Sequence, residues 1–234
     1  MDQEELRLES EAFTFIKSHK KELIRRFANP GIYKSVSVPI SLFMAGSPGA
    51  GKTEVSKSLI KRFQDIPVRI DADEIRKMCP EYKGSNAHVF QKAATKGVHI
   101  LFDHSLDHKL NLILDGTFAY DKAQDNVKRS LEHKRTVELW FVYQDPLKAW
   151  EVTKAREAEE FRHVSKEVFI KAFFEARRNI VNVKNIFDKD VQLNLLIKDY
   201  DKHEEDLKLS IRADELDGHI RNGYTESELE KLLL

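Results

Sequence analysis

The octapeptide Gly46-Ser47-Pro48-Gly49-Ala50-Gly51-Lys52-Thr53 follows the apolar run Ile40-Ser41-Leu42-Phe43-Met44-Ala45 without a break. A strand, a glycine-rich turn and a helix start in that order form a phosphate cradle. Glycines at 46, 49 and 51 let backbone N–H groups converge on anionic oxygens without Cβ clashes. The helix beginning near Gly51 adds the positive end of its dipole. Lys52 then reaches the β- and γ-phosphates, and the Thr53 hydroxyl ligates Mg²⁺. An ordinary glycine-rich strand-to-helix turn is the alternative, and the full pattern in this context speaks against it. All eight residues are therefore expected to bind ATP or GTP together with Mg²⁺.

The rest of the chain alternates between two periods. Apolar strand patterns occur near 38–45, 67–71, 110–115, 136–143 and 191–197, and helical patterns lie between them. Pro146 sits where the first turn of a helix begins. Strands alternating with helices predict an α/β protein of the P-loop kinase fold, with a five-stranded, mainly parallel sheet flanked by helices. A charged helix near 4–27, closed by Asn29-Pro30-Gly31, precedes it, and a polar helical tail follows from about 200. The expected division is an N-terminal segment 1–36, a kinase unit 37–200 and a C-terminal extension 201–234. With 234 residues, 41% of them apolar, the chain has ample length to bury a core. Lys+Arg and Asp+Glu number 39 each, so no global field draws it to nucleic acid or an anionic membrane. The lone Cys79, the acidic start and the lack of a long apolar run predict a cytoplasmic protein without internal disulfides or membrane spans.

Right-handed crossovers bring the C-terminal ends of parallel strands to one edge, where open α/β sheets bind ligands. Asp71-Ala72-Asp73 ends one such strand and opens a helix. One aspartate can serve as the N-cap, and one can accept the proton of an attacking hydroxyl. The pattern alone leaves both readings open. Asp115, after Leu112-Ile113-Leu114, has the look of the acidic end of a Walker B strand that holds Mg²⁺ through its water shell; a solvated strand-end aspartate is the other reading. Gly116 lets the backbone turn there, and Thr117 directs its hydroxyl at an acceptor.

Taken together, Ile70-Asp71-Ala72-Asp73-Glu74-Ile75-Arg76, Cys79-Pro80-Glu81-Tyr82 and Leu114-Asp115-Gly116-Thr117 resemble the zeta toxin family from about 38 to 185. Those are P-loop kinases that phosphorylate UDP-N-acetylglucosamine or related UDP-sugars. The resemblance implies that Asp73 is the catalytic base. It also implies that Arg156 and Arg162, on a lid, touch the transferring phosphate, where guanidinium groups stabilise spreading negative charge. Pairing of both arginines with Glu157, Glu159 and Glu160 on a solvated helix is the competing reading. Cys79 stands where the family has histidine, Asp115 where it has glutamate, and the helix between Asn86 and Leu106 shows no clear match to the glutamate that holds the amino-sugar. The resemblance further implies a small helical antitoxin as partner.

Other signals point to packing. His104 and His108 have i,i+4 spacing but lack a third zinc ligand. Cys79 has no orienting histidine. Phe169, Phe173 and Phe174 fit a core stripe. The resulting expectation is transfer of a γ-phosphate to a nucleotide-sugar hydroxyl. Alternatives are a P-loop kinase for another small acceptor (nucleoside, nucleotide, antibiotic or nucleic-acid end) and a nucleotide-hydrolysing switch, against which the absence of an N-K-x-D sequence speaks.

Overall fold

The structure is a computed structural model describing residues 1–161, 163–200, 202, 204–220 and 223–233. The N-terminal charged pattern forms two helices, α1 (Gln3–Ser18) and α2 (Lys20–Phe27), rather than one. Asp2 caps α1 in a capping box with Glu5, and the break falls at His19, whose backbone leaves helical geometry. The first strand, β1 (Ile40–Ala45), feeds the glycine loop and α3 (Lys52–Leu59), which tightens into a 3₁₀ turn at Ile60–Arg62. Next come β2 (Val68–Asp71), α4 (Ala72–Arg76), α5 (Gln91–Asp107), β3 (Leu112–Asp115) and α6 (Ala123–Glu132). Then follow β4 (Thr136–Gln144), α7 (Pro146–Glu160, with Pro146 in its first turn), α8 (Lys166–Phe187) and β5 (Val191–Asp199). The chain closes with β6 (Glu204–Lys208), α9 (Leu216–His219) and α10 (Glu226–Leu232).

The described strands form one sheet in the order β2-β3-β1-β4-β5-β6. The first five are parallel, so β1, β2 and β3 all end at the same edge, with Asp71 directly opposite Asp115 in register. Six strands replace the expected five. The sixth lies in the stretch read as a helical tail: Glu204–Lys208 pairs antiparallel with Leu195–Asp199. Its local sequence, Glu-Glu-Asp-Leu-Lys, carries no strand pattern. The open edge of β5 supplies the hydrogen bonds that decide its conformation. The remainder of the tail does contain the short helices α9 and α10.

Alternation along the strands separates two cores. Leu42, Met44, Ile113, Trp140 and Val142 face α3, while Phe43, Ala45, Ile70, Leu112, Leu114 and Phe141 join the larger cluster under α5 and α8. The hairpin α1–α2 packs on α5. Phe169 stacks edge-on against Trp150 in a third cluster beneath α10, so the phenylalanine stripe is core, as expected. Gly97 lets α5 approach α4, since a Cβ there would fall 2.6 Å from Ile75 Cγ2.

Buried Arg135 ties the opposite sheet edge together. It donates to Ser41 Oγ at 2.6 Å, to the Ile40 carbonyl at 3.0 Å and to the carbonyls of Ser105 and Leu110. Burial pushes its pKa down to about 10, so it stays charged at neutral pH on backbone and hydroxyl oxygens. Arg135→Ala removes the donor shared by β1, α5 and the start of β3. It is expected to lower stability by about 2–4 kcal/mol, read as a fall in the urea midpoint at unchanged m-value.

Candidate active site

The glycine loop is enclosed on three sides. Gly46, Gly49 and Gly51 all have positive φ (136°, 74° and 89°). A Cβ on Gly46 would fall 2.3 Å from the Val142 carbonyl of β4, and one on Gly49 1.9 Å from the Ala149 carbonyl of α7. On Gly51 it would fall 2.7 Å from Tyr200 Oη and 2.9 Å from Lys198 Nζ, at the tip of the β5–β6 hairpin. The Gly46 N–H donates to the Thr117 carbonyl at 3.1 Å, joining the loop to the turn after β3. Lys52 donates to the Ser47 carbonyl at 2.6 Å, folded back over the loop it is expected to leave when phosphate binds.

Beside this loop the strand-end acids are held by cations. Asp71 caps α4, accepting from the Asp73 N–H at 2.8 Å. The capping reading therefore applies to Asp71, and not to Asp73. Arg69, on β2, contacts both Asp71 and Asp115 at 2.6 Å. Ser56, one turn beyond Thr53, donates to Asp115 at 2.6 Å. Burial and then the Asp73 carboxylate push the Asp71 carboxyl above its ordinary range, with Arg69 opposing. Although burial works against it, Asp115 and Asp71 hold the Arg69 guanidinium above its ordinary value. On the other side of α4, buried Arg76 donates to Asp73 Oδ1 and to Gln91 Oε1 at the start of α5.

The turn after β3 is equally fixed. Thr117 Oγ1 accepts from the Ala119 N–H at 3.3 Å, and Phe118 adopts φ 60°. Asn179 of α8 donates to the Phe118 and Tyr120 carbonyls, at 2.8 and 3.2 Å. Arg156 of α7 reaches across to Glu54, the residue after Thr53. Arg162 lies outside the described residues.

The fold thus brings Lys52, Thr53, Asp115, Thr117, Asp73 and Arg156 to one sheet edge. Ser56, Arg69, Arg76, Gln91, Glu54 and Lys198 join them without having been singled out from the sequence. A charge inside the short buried strand Val68-Arg69-Ile70-Asp71 was the one legible signal among these. An oxygen donor set of the Thr53 hydroxyl and phosphate oxygens suits Mg²⁺. Asp115 fits the outer shell, because its Oδ2 already accepts from Ser56 Oγ, Arg69 Nε and Arg69 Nη2. Cys79 is buried and its thiol is pushed up to about 11 by burial, which leaves it unreactive. The His104 and His108 rings lie 4.0 Å apart, tilted at 37°, and among the described residues no group of three or more His, Cys, Asp or Glu could hold a metal. No helix among them is long and apolar enough to cross a membrane.

A model of the zeta toxin family matches residues 27–206. The chain belongs to the zeta toxin family. No curated protein matches it. A chain from the PezAT chromosomal toxin–antitoxin system of Streptococcus pneumoniae is similar in structure, with a TM-score of 0.68 at 20% identity, covering 93% of this chain and 91% of that one. A chain from the AvrRxo1-ORF1:AvrRxo1-ORF2 structure with sulphate ions superposes with a TM-score of 0.61 at 15% identity, covering 92% and 71%. The native AvrRxo1-ORF1:-ORF2 complex gives 0.57 at the same identity and coverage. At these identities the likeness concerns the fold, a P-loop kinase-like α/β sheet.

In this zeta toxin chain, the seat of the loop under α7 is the most exacting contact. A methyl on Gly49 meets both a positive φ and the Ala149 carbonyl. Gly49→Ala is expected to push the loop away from α7, lowering the melting temperature and weakening nucleotide binding by about tenfold or more, since a 1.4 kcal/mol cost suffices. Titration with a fluorescent ATP analogue beside a thermal melt checks it.

Proposed function

We propose that this chain is a kinase moving the γ-phosphate of ATP or GTP to a hydroxyl of a UDP-sugar, with UDP-N-acetylglucosamine as the first candidate. The observation that carries the reading is Asp73. It stands two residues past the end of β2, in the first turn of α4, clamped by Arg76, on the same sheet edge as the glycine loop. A switch that only hydrolyses nucleotide has little use for a second, separately held carboxylate there.

In this reading the loop N–H groups and Lys52 hold the phosphates. Thr53 and Asp115 would hold Mg²⁺, which would supply neutralisation of phosphate charge. Asp73 accepts the proton of the acceptor hydroxyl as that oxygen attacks the γ-phosphorus, and Thr117 orients the acceptor from the opposite turn. Arg156 exchanges Glu54 for the equatorial phosphoryl oxygens, and Arg162 joins it from the lid. Residues 1–36 and 201–234 are read as packing elements of one kinase unit, and the setting as cytoplasmic. Membership of the family and the toxin–antitoxin system of the pneumococcal neighbour support a toxin restrained by a small helical antitoxin.

Gln91 favours a second reading, a P-loop kinase for another small hydroxyl acceptor. The α5 side chain brought beside Asp73 through Arg76 is an amide rather than the glutamate expected to hold an amino-sugar. Incubation with labelled ATP or GTP, Mg²⁺ and a panel of UDP-sugars, nucleosides and nucleic acids separates the two. Labelled UDP-sugar is the expected product, and transfer only to another class overturns the acceptor assignment.

Two substitutions test the machinery. Asp73→Asn is expected to leave nucleotide affinity nearly unchanged and cut transfer by about 10²–10⁴-fold. Arg156→Ala is expected to cut transfer by about 10³-fold, measured at saturating nucleotide. Full transfer by Asp73→Asn would remove Asp73 as the base.

A further inference from the structure

Arg69 is a charged side chain in a short strand whose neighbours Val68 and Ile70 are fully buried. The side chain is only 15% exposed, and its Nη2 lies 2.6 Å from Asp71 Oδ2 and 2.6 Å from Asp115 Oδ2. Its Nε lies 3.0 Å from the same Asp115 oxygen and 3.1 Å from Ser56 Oγ. Two carboxylates and a hydroxyl, from β2, β3 and α3, therefore converge on one guanidinium. Hard oxygen atoms gathered this way are also what a divalent cation takes as ligands.

We propose that Arg69 is a positioning residue that stands in for a protein-bound cation: it holds Asp71 and Asp115 together and denies the protein a divalent ion of its own, so that metal enters only with the triphosphate. The planar fork of a guanidinium bonds both carboxylates at once, which the compact ammonium of lysine does less well. Through Asp71 the contact fixes the start of α4 and hence Asp73, while through Asp115 it meets Ser56 in the second turn of α3, beyond Lys52 and Thr53. One buried charge thereby sets the donor half of the site against the acceptor half. The consequence for transfer rests on the kinase reading above; the consequence for metal binding does not.

Nucleotide-free protein titrated with Mn²⁺ and followed by electron paramagnetic resonance tests the metal consequence. Wild type is expected to leave Mn²⁺ free. Arg69→Gln leaves the two carboxylates and Ser56 facing one another, and is expected to bind Mn²⁺ at least about tenfold more tightly than wild type. Adding Asp71→Asn should abolish that gain. In transfer assays Arg69→Gln is expected to lose about 10²-fold in kcat through misplacement of Asp73, with ATP affinity changed less than about threefold. Arg69→Lys should fall between the two on both readouts. A folded Arg69→Gln variant that gains no Mn²⁺ binding overturns the proposal, as does a gain that survives Asp71→Asn. Equal losses of ATP affinity and kcat overturn the positioning role. Should Arg69→Gln fail to fold, Arg69→Lys carries the test, and wild-type behaviour on both readouts overturns the proposal. If no acceptor is ever phosphorylated the kinase reading fails, while the Mn²⁺ titration still decides the role of Arg69.

Discussion

The glycine loop has no room for side chains, and the architecture around it follows from that. Backbone carbonyls of β4 and α7 come so close to Gly46 and Gly49 that a methyl group at either would overlap them. The side-chain ends of Lys198 and Tyr200, at the end of β5, approach Gly51 and can give way more easily than those carbonyls. Interiors packed this densely transmit displacement instead of absorbing it. The loop therefore fixes where α7 starts across the sheet edge, and with it the height at which Arg156 leaves the helix to meet Glu54. The shape of the loop and the placing of Arg156 are two consequences of one close contact.

The acids at the strand ends show a second constraint. Parallel register puts Asp71 and Asp115 on adjacent strands at the same level, where two like charges would repel. Arg69 answers this from within β2, and Arg76 does the same for Asp73 from within α4. Asp71, Asp115 and Asp73 are thus each matched by a cation from a buried or nearly buried position. That matching keeps the acids in defined places at a modest total charge, consistent with the balanced composition of the chain.

Much of the site was legible because its signals are local. The octapeptide 46–53, the paired Asp71 and Asp73, and Asp115-Gly116-Thr117 each occupy a strand end, and strand ends follow from hydrophobic runs that the sequence displays openly. The zeta toxin resemblance rested on those same segments, and the family match over 27–206 covers them all. The unread contacts are those that cross between elements. Ser56 and Arg69 reach Asp115 from 59 and 46 positions away, and Arg76 meets Gln91 across 15. Separation along the chain gives no account of such pairs until the register of β2 against β3 is known. The assignment of Asp71 and Asp73 turned on a backbone detail, the extended conformation of Asp71 that makes it the N-cap.

β6 marks the boundary between the two kinds of information. Its residues, Glu204–Lys208, have the composition of an exposed helix, and only the unpaired edge of β5 makes them a strand. The neighbouring end of β5, set by its parallel register with β4, brings Lys198 and Tyr200 to the glycine loop, where no sequence pattern announces them. The sequence by itself determined the phosphate loop, the parallel α/β class and the acids at the strand ends, because glycine freedom, apolar periodicity and capping act over a few residues. Tertiary structure decided which cation meets which acid and where β5 and α7 meet the glycine loop, because those contacts exist only once separate elements share one sheet edge.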